Sequence, residues 1–463
     1  MTAPTYARQL ARFATATAFA DLPAPLVERA KRHILDTLGA ALAGSASTEA
    51  RTVQAVLRQD AAGSGPARIW GLDRAIGQRD AAFANGVAAH ALELDDAGGC
   101  DHSGAVVLPA VLAAAAGAPE PVSGQDFIAA VVIGYDVGRR VLEACGGYPA
   151  HNGVGWHSTA TCGTFGAAAA VARLWRLDEQ QCAWALGHAA SFSGGLWAFI
   201  HDGTQTKKLH TGRAAEGGLL AARMATAGIS GPAAVFEDVW GGFFRAFAPQ
   251  TAQPEALTAE LGETWKLLRC SIKPYAACRS THASVDALLH LLANAEAGRQ
   301  AAAVDVRLSQ FVMNMCGGRD LTTLASAQMS MPYALAAAWV FGDANIERYL
   351  QGMRGDPRLA QAMARIRLHP DPAMADLEEP TITLSGDGMA PVSHHVPIAL
   401  GAPANPLSDA QLLAKFTQLA CVALPPSQAE QLADRVLRLE ADPDSRTLQD
   451  LLLGHADAAR LIA

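Results

Sequence analysis

Apolar residues recur every three to four positions from Tyr6 to about Val239, and this spacing predicts helices almost throughout that stretch. The segment LVERAKRHILDTLGAAL, Leu26 to Leu42, lays Val27, Ala30, Ile34, Leu38 and Leu42 near one face. Pro25 stands beside its start and Gly44 after its end, the usual asymmetry of helix boundaries. Similar blocks predict helices at Arg79–Leu92, Gln125–Ala144, Gly163–Leu174, Glu179–Ser191 and Gly212–Ala227, and a first helix ending near Asp21-Leu22-Pro23. Alanine and glycine are abundant in these blocks. Small residues let helix backbones approach closely, so a compact, largely buried helical domain is expected.

The texture changes near Trp265. Trp265–Ile272 and Ala303–Met313 read as strands, with a helix at Thr281–Ala293 between them. After a helix at Met331–Phe341 come strand-like runs at Ile366–His369, Thr381–Leu384 and His394–Leu400, with a turn at Gly386-Asp387-Gly388. Helical patterns return from Ser408, broken at Leu424-Pro425-Pro426. The expected fold is mainly α: a large helical domain at 1–264, a smaller α+β lid domain inserted at 265–400, and C-terminal helices at 401–463 that return to the first domain.

Composition narrows the function. Half of the 463 residues are apolar and 17% are charged, enough for a sizeable core and too ordered a mixture for a disordered chain. Thirty-six basic against 44 acidic side chains leave a formal charge of −8, which excludes a nucleic-acid-coating surface. A locally cationic site for a small anion remains open. Eight scattered cysteines include no C-x-x-C pair and no zinc-like spacing, so reduced thiols in a cytoplasmic protein are expected. The most apolar run, Ala105–Ala118, is interrupted by Pro109 and too short for a membrane span.

Three segments break the helical pattern with candidate chemistry. HALELDDAGGCDHSG, from His90, sets Glu93, Asp95 and Asp96 at the end of a helix and His102 just before the next. Carboxylates there oppose the helix dipole, a local conflict that often marks a functional site. The plain alternative is that the aspartates cap the loop. The same carboxylates, with Asp101 and His102 close behind, could form a metal site, although the ligand spacing matches no recurring pattern. GVGWHSTATCGTFG places His157 in a Gly/Ser/Thr-rich loop before an alanine-rich helix, suited to an anion or a proton. Lys207, Lys208, His210 and Arg213 form one basic segment, and Lys273 with Arg279 another at the entry to the second domain. Cations from two domains are what a di- or tricarboxylate clamp needs, whereas ordinary solvated charge would explain them singly.

These segments, together with Arg32-His33-Ile34-Leu35-Asp36-Thr37-Leu38-Gly39, resemble the MmgE/PrpD family from about residue 5 to about residue 400. The family includes 2-methylcitrate dehydratase, cis-aconitate decarboxylase and iminodisuccinate epimerase. The resemblance implies a helical domain closed by the C-terminal helices, an inserted lid, a site in the cleft between them, a homodimer, and neither metal nor organic cofactor. It places the family's active-site histidines on His102 and His157, its Q-T-K lysine on Lys207, its lid-entry lysine on Lys273, and the first acidic position on Glu93. It also shows departures. Glu93 stands where the decarboxylase and dehydratase usually have Asp, Ala97 replaces a threonine after Asp95-Asp96, and Cys278 replaces a histidine of the decarboxylase lid.

The shared chemistry is a carbanion beside a carboxylate. Lys207 and Lys273, with Arg279, Lys208 and His210 as further substrate contacts, would meet the negative charge. His102 and His157 would carry protons, and Glu93 or Asp95 would orient His102. The reading is a cofactor-independent lyase acting on a small di- or tricarboxylate. Alternatives are an epimerase of an amino- or hydroxy-dicarboxylate, a non-catalytic carboxylate-binding member, and a metal-dependent hydratase built on Glu93, Asp95 and His102.

Overall fold

A computed structural model describes residues 3–60, 65–293, 301–457 and Arg460. The chain is mainly helical. Helices Tyr6–Ala16, Ala24–Gly44, Gln78–His90, Gly104–Ala116, Gly124–Ala144, Gly163–Leu174, Glu179–Phe192 and Thr206–Thr226 share one hydrophobic core. A two-stranded ribbon, β1 (Ala67–Arg68) with β2 (Ala75–Ile76), lies ahead of Gln78. The ends of these helices follow local chemistry. Ser123 and Asp178 accept backbone N–H bonds from Asp126 and Gln181, and the Gln181 side chain in turn accepts the Asp178 N–H, closing a capping box.

Glycines set the closest helix crossings. A Cβ on Gly86 would meet the Gly212 Cα at 2.8 Å, and one on Gly166 would meet the Gly134 carbonyl oxygen at 2.5 Å. The first of these crossings matters for function. It lays Thr206–Thr226 against Gln78–His90, so the start of one helix, with Lys207 and Lys208, reaches the loop that follows the other.

The lid has its own core and a four-stranded sheet in the order β4-β3-β5-β6. Here β3 is Ala303–Leu308, β4 Ile366–Pro370, β5 Thr381–Gly386 and β6 Met389–His395. β3 pairs parallel with β4 and antiparallel with β5, and β5 pairs antiparallel with β6. Val304, Val306, Leu308, Ile382 and Leu384 point inward onto helices His282–Ala293 and Met331–Phe341, while Asp305 and Arg307 alternate outward. Pro391 sits in β6, an edge strand, where its missing N–H costs no ladder bond.

Helices Asp409–Ala420 and Pro426–Leu437 return to the helical domain and pack on Ala24–Gly44. Phe416 covers Gly39, Lys31 donates to the Leu437 carbonyl at 2.9 Å, and Lys415 pairs with Asp36 at 2.5 Å. Among the described residues no helix is long and apolar enough to cross a membrane.

Several local expectations need correction. Trp265–Ile272 is not a strand: Lys266–Arg269 forms a 3-10 turn, because Leu267 packs into the core while Ser271 exchanges backbone bonds with Ala97. The run Ala303–Met313 divides at Ser309, whose hydroxyl accepts the Val312 N–H and starts the helix Gln310–Cys316. The last strand lies at Met389–His395, earlier than the expected His394–Leu400, since the Gly388 turn folds Met389 directly back on Gly386. The first helix stops at Ala16, with the Thr17 hydroxyl bonded back to the Phe13 carbonyl. Gly44 lies inside its helix, where a Cβ would strike the Ala88 carbonyl oxygen.

Candidate active site

The acidic loop follows helix Gln78–His90 and carries two residues in the left-handed backbone region, Glu93 (φ +54°) and Asp101 (φ +115°). Such conformations are uncommon for residues with a Cβ and persist only where surroundings hold them. Here the surroundings are specific. Lys415, on a C-terminal helix, donates to the Leu94 carbonyl at 2.7 Å, and Gln328, on the lid, donates to the Leu92 carbonyl at 2.6 Å. Asp96 accepts from the Gly104 N–H at 3.0 Å and contacts His33 at 3.1 Å. The aspartates therefore split: Asp96 caps the next helix, and Asp95 turns toward the histidines.

Asp95 bridges two imidazoles, His90 at 2.9 Å and His102 at 3.1 Å, each through Nδ1. His102 Nδ1 also donates to the Asp96 carbonyl at 2.9 Å, an acceptor that requires the hydrogen on that nitrogen. Nε2 is left to work, with Asp101 Oδ2 at 3.3 Å. Burial alone would lower the His102 pKa, but Asp101 and Asp95 outweigh it and the net shift is upward. His90 lies against His102 with ring centroids 4.1 Å apart and the rings tilted by 47°, and burial drives its pKa well down.

Glu93 does something else. Its carboxylate takes Lys207 at 2.5 Å, Lys208 at 2.7 Å and Lys273 at 3.2 Å, and Lys273 also holds the Glu93 carbonyl at 3.0 Å. Burial disfavours its charge, but Lys207, Lys208, His90 and Lys273 more than reverse this and hold its pKa well below the usual carboxylate range. Lys273 shifts up, against burial, because Glu93 and Asp95 face it; burial brings Lys208 down. Three lysines around one carboxylate leave an excess of positive charge, which a substrate carboxylate can satisfy.

A cavity of about 310 Å³ opens on this cluster. Glu93, Asp101, His102, Lys207, Lys273 and Arg279 line it, so residues from both domains converge as the two-domain clamp requires. Arg279 pairs with Glu379 at 2.9 Å. Lys208 and His210 do not line it: Lys208 is buried against Glu93, and His210 lies behind His157, joined to it Nδ1 to Nδ1 at 2.9 Å. His157 is also set back from the wall, under the cavity-lining Trp197 at 5.2 Å, and its ring is 6.3 Å from that of His102. Burial, His210 and Lys207 push the His157 pKa well down; burial and Lys207 take His210 to about 4.

Sequence reasoning missed Asp101 as a partner of His102, and Arg139, Arg269 and Tyr148 as wall residues. Asp101 precedes His102 directly, and that adjacency was the available signal. Arg139 and Arg269 meet on Glu143, at 2.9 and 2.7 Å; the first is an i,i+4 pair, but the second spans 126 positions and no local pattern announces it. Ala97 is on the wall too, its backbone tied to Ser271 in both directions.

Among the described residues, three groups of side chains bring potential metal-ligand atoms within 4.8 Å of one another: His90/Asp95/His102, Asp101/His102/His157 and Cys145/His151/Cys162. In the first group His90 Nδ1 donates to the Asp95 carboxylate, and His102 Nδ1 lies 3.1 Å from it.

The chain matches the model of the MmgE/PrpD N-terminal domain over residues 8–255 and that of the C-terminal domain over 275–441. It is 31% identical to the cis-aconitate decarboxylase-like protein oryM of Aspergillus oryzae over 74% of each chain. It is 28% identical to a cis-aconitate decarboxylase of Aspergillus terreus, over 96% of this chain and 95% of that one. With the cis-aconitate decarboxylase of Homo sapiens it shares 29% identity, over 93% of this chain and 90% of the relative. With both family domains in sequence and relatives that match nearly end to end, the chain belongs to the MmgE/PrpD family and is a lyase of that family.

Proposed function

We propose that this lyase decarboxylates a small unsaturated tricarboxylate of the cis-aconitate type, with His102 as the acid that reprotonates the product carbanion. The observation that carries the reading is the setting of His102: two carboxylates raise its pKa, and the residue lines the cavity. Loss of CO₂ breaks a C–C bond and leaves its electron pair on carbon, delocalised toward a remaining carboxylate. That step needs no base. It needs cations for the charge and a proton for the carbon. Lys207 and Lys273 meet the remaining carboxylates beside Glu93, and the Nε2 proton of His102 passes to carbon, to be replaced from solvent. Prearranged cations in a cavity shielded from water can supply several kcal/mol to such a carbanion.

Family relatives named as cis-aconitate decarboxylases support the substrate class. The test is direct: incubation with cis-aconitate, CO₂ release followed by NMR, and the product recovered from heavy water with one deuterium. A second reading rests on His157, whose pKa burial pushes well down, the opposite direction to His102. Two proton carriers shifted in opposite directions would suit an epimerase of a dicarboxylate. C–H exchange without CO₂ release would select that reading.

A further inference from the structure

The proposed reaction does not use Cys278, although this side chain lines the same cavity beside Lys207, Lys273 and Arg279. It is one of two cysteines that are not fully buried, the other being Cys421. Its backbone is fixed from both sides. The Cys278 N–H donates to the Gln328 carbonyl at 2.9 Å, and the Gln328 side chain holds Leu92, next to Glu93. The Cys278 carbonyl accepts the Thr281 N–H at 3.0 Å and hydroxyl at 2.8 Å. The lid thus presents this sulfur in fixed register with the lysine–glutamate cluster.

We propose that Cys278 is a covalent-capture site for α,β-unsaturated di- and tricarboxylates. The proposal rests on the reading that this cavity binds such carboxylates. Unsaturated carboxylates are sluggish electrophiles as free anions, because the negative charge opposes attack on the conjugated double bond. Lys207 and Lys273 neutralise that charge where the sulfur stands. In the step, an S–C bond forms at the β carbon and the π pair moves to the α carbon. The α carbon then takes the Nε2 proton of His102, leaving a thioether; no oxidant or reductant is consumed. The thiol is prepared for it. A hydrogen bond from Cys316, with Lys207, the Ser280 N–H and Lys273, outweighs burial and lowers the Cys278 pKa to about 6. Thiolate rather than thiol is the attacking species, so a lowered pKa near electropositive groups marks a reactive cysteine. Burial raises Cys421 instead, which makes it an internal control.

The experiment incubates the whole protein with maleate or with the neutral electrophile acrylamide and maps adducts by peptide mass spectrometry. Succinate serves as a saturated competitor. The expected result is one maleate adduct at Cys278, with a rate that saturates in maleate and falls with succinate. Cys278 should label on the order of 10-fold faster than Cys421. The adduct should vanish in Cys278→Ser. If that variant misfolds, the pH dependence of acrylamide labelling in the unaltered protein, rising through about pH 6, carries the same information. If succinate shields Cys278 from acrylamide but maleate never adds, covalent capture is overturned while carboxylate binding stands. Should succinate fail to shield it, the carboxylate-site reading falls, and the capture proposal with it.

Discussion

Two loops of the helical domain each bring a histidine to the start of a helix, and they shift its pKa in opposite directions. The acidic loop ends at His102 before Gly104–Ala116; the Gly-rich loop ends at His157 before Ser158–Thr161. Both rings are buried, so burial disfavours the imidazolium in each. The difference lies in what surrounds them. His102 faces Asp95 and Asp101, whereas His157 faces His210 and the positive charge of Lys207. Two residues of one type, 6.3 Å apart, are driven one toward the acid and the other toward the neutral form. Such divergence is how a site assigns acid and base roles.

The largest expected effect separates the two directly. His102→Gln should lower CO₂ release on the order of 10²–10⁴-fold, the usual loss for a removed proton carrier. His157→Gln should keep a larger share of activity; the reverse order would exchange their roles. Next comes the charge balance beneath His102. Glu93→Gln removes the carboxylate that three lysines share and should cost about 3–5 kcal/mol in denaturant unfolding. Adding Lys208→Met should recover part of that loss, because Lys208 is buried on Glu93 and does not reach the cavity. If the double variant were no better than the single, Lys208 would not share the Glu93 charge.

Smaller effects sharpen the contrast through pH. Asp101 is the largest influence raising the His102 pKa, so Asp101→Asn should move the alkaline limb of the kcat profile to lower pH. The stabilising ion pair of His102 is complete below the unfolded imidazole value of about 6.5 and fades as pH climbs through the raised folded value. His210 has the opposite sign. Its folded pKa of about 4 lies below the unfolded value, so its contribution is complete above the latter and is lost as pH falls toward 4. His210→Gln should therefore flatten the fall of Tm on acidification and leave the alkaline side unchanged.

Much of this organisation is legible in local pattern. Helix periodicity locates Gln78–His90, Gly124–Ala144 and Gly163–Leu174 to within a residue or two, because each buries a face set by its own spacing. The change of texture marks the lid, and residue types single out His102, Lys207 and Lys273 as chemistry. Local pattern misses wherever a partner far along the chain decides. Trp265–Ile272 alternates like a strand, yet the core takes Leu267 and Ala97 takes Ser271.

The site divides along the same line. Residue identity and order put carboxylates before His102, lysines at 207 and 208, and a thiol at 278. Tertiary structure decides what each does: Asp95 and Asp101 hold His102, Glu93 is consumed by lysines, Lys208 and His210 fall behind the wall, and Cys278 comes forward. The physical reason is that protonation and exposure depend on charges a few ångströms away, and the chain brings those together only when Gly86 meets Gly212 and the lid closes over residues 92–94.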